Sequence, residues 1–320
     1  MNLISIYNIC GLGNKPPIEN YIDSIESILQ QNISEHVVVL SACMVDDSVK
    51  TILKEYFKNR ITYNFIDEIL PLNVTYNLTA KLCVNNFGLP LAFAYIDSGV
   101  TLLKEDDLYN LLFAMYDFPD CGMITSMATS DNGYHWLGFN EPSAGLYKIP
   151  VGRACHPHCH LFHQDIYKNY NECLWPDIFA SFCTESIFTF MCSAIERNWY
   201  ILKNVLVSHA HEMEGGSAGF RKEHSKVKIC QGDGKGVWDH NFRSKKTMKE
   251  IISDPVGIAA GFGYEEIQNI LIHDPDQFDE NGWCKNKILK EFIKDNLYLK
   301  TEEFDYNKIF KKEKNNDRSN

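Results

Sequence analysis

Three observations predict an α/β fold built on a Rossmann-like mixed sheet flanked by helices, with a C-terminal helical extension. Short apolar runs alternate with amphipathic helical runs through the first hundred residues. The run Leu91 to Ile96 ends directly on Asp97-Ser98-Gly99, and from Tyr264 onward the pattern changes to helices alone. The alternation is the βαβ rhythm of a parallel sheet. A buried strand ending on an acid over two tiny residues is how such sheets present a carboxylate to a nucleotide, with or without a divalent cation, at their carboxyl edge.

Each element has its own signal. Leu3 to Ile9 reads as the first strand, and Ile18 to Gln31 as a helix whose Tyr21, Ile22, Ile25, Ile28 and Leu29 share one side, with Asp23, Glu26 and Gln30 facing water. Val37 to Leu40 is the second strand, Val49 to Phe57 a helix, and Ile61 to Ile66 a third strand by alternation. A helix from about Val74 to Asn86 leads into the Leu91 strand. Farther on, Met123 to Met127 and His156 to Phe162 read as strands, Thr184 to Arg197 as a helix, and Tyr200 to Val207 as the last strand of the sheet. Glycine and polar residues crowd Glu212 to Asp239, which marks a loop. Ile288, Leu289, Phe292, Ile293 and Leu297 form an apolar stripe at helical spacing, and Lys311 to Asn320 has the composition of a disordered tail.

Composition narrows the function. A chain of 320 residues, 45% of them hydrophobic, can bury roughly three quarters of its unfolded surface in one large core. Its 31 basic against 42 acidic residues give a formal charge of −11, which repels a polynucleotide backbone, so nucleic-acid partners are excluded. The eleven cysteines lack paired spacing, and Cys83, Cys183 and Cys192 sit inside apolar runs, where they act as small hydrophobes. Met1-Asn2-Leu3-Ile4 lacks the basic region of a signal peptide, and no window holds eighteen apolar residues in a row. Together these predict a reduced, cytoplasmic protein.

Four features recur in a fixed order: a Tyr-x3-Ile-x2-Ile-Leu helix after the first strand, an Asn-bearing helix at Asn73 to Asn77, the Ala-Tyr-Ile-Asp-Ser-Gly strand end, and Thr184-Glu185 opening a helix before a strand that ends at His209. Over about residues 1 to 211 this order resembles the family-2 glycosyltransferases of the GT-A fold, which build polysaccharides and lipopolysaccharides from nucleoside-diphosphate sugars. The resemblance implies a transferase moving a sugar from such a donor to a glycan or glycolipid hydroxyl with inversion. Its Asp-x-Asp sequence, whose acids hold a divalent metal (Mn or Mg) and the donor, falls on Asp97-Ser98-Gly99, where Gly99 replaces the second acid. One carboxylate plus the donor's phosphates is a coordination Mg²⁺ accepts; otherwise Asp97 only caps its turn.

The same resemblance puts the catalytic base at Glu185. Thr184 caps the helix that follows, leaving Glu185 in the first turn, where the dipole favours an ionised carboxylate; Asp177 is the reserve. It implies that His209, with His211 two residues on, joins Asp97 at the metal or diphosphate. The donor is expected to meet Asn8, Gly11 within Gly11-Leu12-Gly13-Asn14, Asn77, Asp97, Ser98, Gly99 and Arg221. The acceptor or sugar pocket is expected to use His158, His160 and Asp177. Family members carry Asp-Asp-Gly after the second strand to meet the base, whereas Ser41-Ala42-Cys43 stands in that register here.

Alternatives stay open on the residues themselves. Alternation sets His156, His158 and His160 on one strand face, and with His209 and His211 they form the ligand set of a zinc-dependent hydrolase. Gly99 keeps alive a GT-A domain that binds sugar nucleotides without catalysis. The expected organisation is a catalytic domain over 1–240 (nucleotide half about 1–100, acceptor half about 101–240), a helical extension over 241–310 and a tail over 311–320. Through Phe304, Ile309, Phe310 and Lys311-Lys312 the extension is a candidate for peripheral contact with the inner face of a membrane, where lipid-linked acceptors reside.

Overall fold

A computed structural model describes residues 2–10, 17–67, 72–128, 145–149, 158–175 and 188–209. The chain runs β1 (Leu3–Cys10), α1 (Ile18–Leu29), β2 (His36–Cys43), α2 (Asp47–Phe57), β3 (Thr62–Ile66), α3 (Leu72–Phe87), β4 (Ala92–Ile96), β5 (Val100–Leu102) and α4 (Asp107–Asp117). It continues through β6 (Cys121–Ala128), β7 (Leu146–Lys148), β8 (Cys159–His163), α5 (Gln164–Asn169), α6 (Phe188–Ala194) and β9 (Asn198–His209). One nine-stranded sheet takes the order β3-β2-β1-β4-β8-β6-β9-β5, with β7 paired to β9.

The amino-terminal half is parallel, as the βαβ rhythm predicts: β1 pairs in parallel with β2 and β4, and β2 with β3. Beyond β4 the sheet turns mixed, because β8 lies antiparallel between β4 and β6, while β6 and β9 are parallel. β8 begins at Cys159, so the strand expected from His156 starts later; His158 precedes it and His156 lies outside the described residues.

Helix α1 packs Tyr21, Ile25 and Ile28 into the core formed by Leu3, Tyr7, Leu40, Ala94 and Ile96, with Ile22 and Leu29 half-buried at its margin. This is the predicted apolar side, and its burial supplies roughly 1.5–3 kcal/mol per large side chain. On the other face of the sheet, α3 buries Tyr76, Ala80 and Cys83. Cys83, Cys121, Cys159 and Cys192 are free and buried, and burial pushes the Cys83 thiol up to about 12. They are neutral packing groups, as expected.

Four elements escaped the sequence: β5, α4, β7 and α5. Strands of three residues are too short to show alternation. In α4 the inward residues Leu108, Leu111 and Met115 have helical spacing, but Tyr109, Phe113 and Tyr116 make the outward face apolar too, which erases the amphipathic contrast. Among the described residues, no helix is long and apolar enough to cross a membrane. The extension over 241–310, the tail over 311–320 and the loop from Glu212 to Asp239 lie outside the described residues.

Candidate functional site

The site grows from the carboxyl end of β4. Phe93 and Tyr95 point to the face covered by α3, and Asp97 follows in the same alternation. The β1–β4 register ends with Tyr7 opposite Ile96, so Asn8 and Asp97 are the residues that directly follow the last paired positions at this end of the sheet. A row runs outward from there, since Asn8 pairs with Ser41 and Ser41 with Asn64. Four apolar strands thus each carry one polar residue at the same height. Ser41 and Asn64 were not singled out from the sequence; a lone polar residue recurring near the end of successive apolar runs is the signal that could have found them.

Most of this row is satisfied internally. Ser41 Oγ and Thr79 Oγ1 share a hydrogen bond of 2.8 Å, Asn64 Nδ2 donates to Thr79 Oγ1 at 2.8 Å, and Thr79 Oγ1 donates to Thr75 O at 2.8 Å. Asn8 differs. Its side chain is buried, and neither Oδ1 nor Nδ2 has a hydrogen-bond partner among the described residues. Buried polar groups are nearly always paired, so an orphaned amide at the same end of the sheet as a strand-end acid marks a place where something binds.

Asp97 is half-buried and held on all sides. Its backbone N–H donates to His158 O at 2.9 Å, its Oδ1 accepts from Ser98 N at 3.0 Å and from Tyr95 Oη at 3.4 Å, and Val100 N returns to Asp97 O at 3.2 Å. From the opposite face of the sheet, the fully buried Tyr7 hydroxyl accepts the Gly99 N–H at 3.1 Å. Gly99 is itself buried and sits at φ +83°, a left-handed conformation that side chains resist. At this turn position 99 takes a backbone state that favours glycine over the acid the resembled motif would place there. Asp97 Oδ2 has no partner among the described residues and is the oxygen left to meet a ligand.

β9 brings His209 to this turn. Its backbone pairs with Val100, directly after Gly99, so residues 109 positions apart in sequence meet at one end of the sheet. Among the described residues, no three His, Cys, Asp or Glu side chains are gathered as a metal site.

The histidines of β8 behave otherwise. His160 is fully buried, with its ring centroid 5.0 Å from Tyr95, 4.7 Å from Phe162, 5.3 Å from Trp175 and 5.8 Å from Phe188. Both ring nitrogens lack hydrogen-bond partners among the described residues, and burial depresses the imidazole to about 3, so it is neutral. His158 is buried as well. Where an open sugar pocket was expected, His160 sits in an aromatic box and His158 is buried. Of the zinc set, only His158 and His160 have described side chains; His156 and His211 lie outside the described residues.

Asn77, expected at the donor, has its amide engaged by the backbone. Its Nδ2 donates to Trp175 O at 2.6 Å, and its Oδ1 accepts from Leu174 N at 3.0 Å and Trp175 N at 2.9 Å. This clamp sets Trp175 against Tyr95, with ring centroids 4.5 Å apart. Gly11, Asp177, Thr184, Glu185 and Arg221 lie outside the described residues, as do Gly13, Asn14 and the remainder of the glycine-rich loop. For His209 only the backbone is described.

A mixed sheet whose parallel half carries an acid at the end of β4 and whose last strand returns to it has the architecture of the GT-A fold of glycosyltransferases, and this chain adopts that fold. No family model and no curated protein matches the sequence. Among solved structures it is similar to the mannosyltransferase PcManGT from Pyrobaculum calidifontis in complex with GDP-Man and Mn²⁺, at 11% identity and a TM-score of 0.52, over 92% of this chain and 84% of that one. It is also similar to GalNAc-T7 with UDP, GalNAc and Mn²⁺, at 12% identity and a TM-score of 0.54, over 91% of this chain and 56% of that one.

Proposed function

We propose that the protein is a glycosyltransferase that moves a sugar, with inversion, from a nucleoside-diphosphate sugar to a hydroxyl of a glycan or glycolipid. The observation that carries this reading is the carboxyl edge of the sheet, where Asp97 keeps one oxygen open, the buried amide of Asn8 is orphaned and the backbone of His209 adjoins the same turn. The neighbours of known structure, bound to GDP-Man or UDP and Mn²⁺, support a sugar-nucleotide donor and a divalent cation.

In this reading Asn8, Gly11, Ser98 and Gly99 meet the nucleotide and its diphosphate, with Arg221 adding a charged hydrogen bond to the phosphates. Asp97, with His209, would hold a divalent cation, which when bound would supply charge stabilisation to the leaving diphosphate. The acceptor oxygen attacks the anomeric carbon from the side opposite the phosphate. The new C–O bond forms as the sugar–phosphate bond breaks, and the hydroxyl proton passes to Glu185.

A thermal-shift screen of nucleoside-diphosphate sugars, with Mn²⁺ and with chelator, tests the reading. One donor is expected to raise the melting temperature with Mn²⁺ and to lose that effect on chelation or in Asp97→Asn. Glu185→Gln should bind the same donor and turn over about 10²- to 10⁴-fold more slowly, the usual cost of removing a general base. If no sugar nucleotide shifts the melting curve, the proposal fails. Binding without turnover in the native chain would favour a non-catalytic sugar-nucleotide-binding domain.

A further inference from the structure

The Asn77 amide, buried on α3, closes on two consecutive peptide groups 97 and 98 positions farther along the chain. Its Nδ2 donates to Trp175 O, and its Oδ1 accepts from Leu174 N and Trp175 N. A planar amide, with a donor edge and an oxygen bearing two lone pairs, matches such a pair; a carboxylate lacks the donor. Leu174 and Trp175 belong to no helix or strand. This one side chain therefore supplies the buried partners that a regular element would otherwise give their backbone.

What the clamp holds gives it a consequence at the site. The Trp175 indole N–H has no hydrogen-bond partner among the described residues, so the ring is placed by packing and by its clamped backbone. It meets Tyr95 edge-on, with centroids 4.5 Å apart and planes at 78°, and Tyr76 stands 5.7 Å from it. Tyr95 Oη in turn donates to Asp97 Oδ1 at 3.4 Å, joining Ser98 N at 3.0 Å on the same oxygen. Two donors on Oδ1 fix the rotation of the carboxylate and leave Oδ2 for a ligand. We propose that Asn77 is a positioning residue: through Trp175 and Tyr95 it sets the orientation in which Asp97 meets the sugar-nucleotide donor, without touching that donor itself. The inference rests on the glycosyltransferase reading for the role of Asp97, and on the hydrogen bonds and ring contacts alone for the clamp.

Amide hydrogen exchange and nucleotide binding on the full chain test it together. The Ser98 N–H reports whether Asp97 Oδ1 is in place. In Asn77→Ala its exchange should quicken about tenfold beyond the change in global stability, the effect of losing roughly one hydrogen bond. Gly122→Ala, which crowds Arg197 and Cys192 instead, is the destabilised reference in which Ser98 exchanges no faster than global unfolding dictates. Tyr95→Phe keeps the ring and removes the hydroxyl; it should quicken the same amide, and adding it to Asn77→Ala should change little more, because both act through one contact. Calorimetric titration with GDP or UDP in Mn²⁺ should show about tenfold weaker binding to Asn77→Ala and unchanged binding to Gly122→Ala. If Asn77→Ala does not fold, Asn77→Asp, which keeps the acceptor for Leu174 N and Trp175 N and loses only the donated bond, decides in its place. Ser98 exchange that merely follows global stability makes Asn77 a packing residue and overturns the proposal, as does unchanged nucleotide affinity. Failure of both nucleotides to bind the native chain counts against the transferase reading and not against the clamp, which Ser98 exchange decides by itself.

Discussion

His160 gives the sharpest test of how this core is built. The imidazole lies in a box of four aromatic rings with no partner for either nitrogen among the described residues, and burial, reinforced by His158, depresses it to about 3. The unfolded chain protonates a histidine near 6.5. Because the folded state holds its proton less readily, stability is fully present above pH 6.5 and falls as the pH drops toward 3. In that window one such group costs about 1.4 kcal/mol per pH unit, so passing from pH 7 to pH 5 costs about 2 kcal/mol. His160→Phe keeps an aromatic ring in the box and removes two desolvated nitrogens, so at pH 7 it should be neutral or stabilising. Urea unfolding of both proteins at pH 7 and pH 5 measures the difference. The native chain is expected to lose about 2 kcal/mol more than the variant over that interval; equal losses would mean that the ring finds water or a partner and that the box is not dry.

Gly122→Ala should destabilise by about 1–3 kcal/mol, because the new Cβ would sit 2.7 Å from Arg197 Cβ and 3.2 Å from Cys192 Sγ, and the Arg197 side chain is tied to Asp165 and to the carbonyls of Pro119 and Cys121; a denaturant midpoint unchanged from the native chain would contradict it. Asp165→Ala strips a partly buried guanidinium of its carboxylate, with an expected loss of about 1–3 kcal/mol by the same measurement. Tyr7→Phe leaves the buried Gly99 N–H without its acceptor, costing about 1–3 kcal/mol. Hydrogen exchange should show the Gly99 amide opening faster than in the native chain, while amides in α2 keep their rates.

Much of the parallel half was legible because each strand and helix there carries its own period. The stripe Tyr21, Ile25, Ile28 reports α1 directly, since burial of one face is what a 3.6-residue repeat encodes. Asp97 was legible for a related reason: an acid ending an apolar strand costs too much to be buried idly. β8 was harder. Its His158-Cys159-His160 spelling suggests a wet, polar strand, yet both rings are buried and His160 packs between Tyr95, Trp175 and Phe188 of α6, a decision made by packing between segments far apart in sequence. Asn77 was misjudged in the same way. An amide on a helix beside a nucleotide edge looks like a ligand contact, but its three hydrogen bonds go to the backbone of residues 174 and 175.

By itself the sequence determined the alternation of strands and helices and the acid that ends β4, because period and burial pattern are local properties of a chain. Only the tertiary structure decided that β8 inserts antiparallel beside β4, that His209 reaches Val100, that Tyr7 secures Gly99 from beneath, and that the buried Asn8 amide stands unpaired among the described residues. Those facts depend on strand order and register, which arise from contacts between distant segments and leave no mark in the spacing of neighbouring residues.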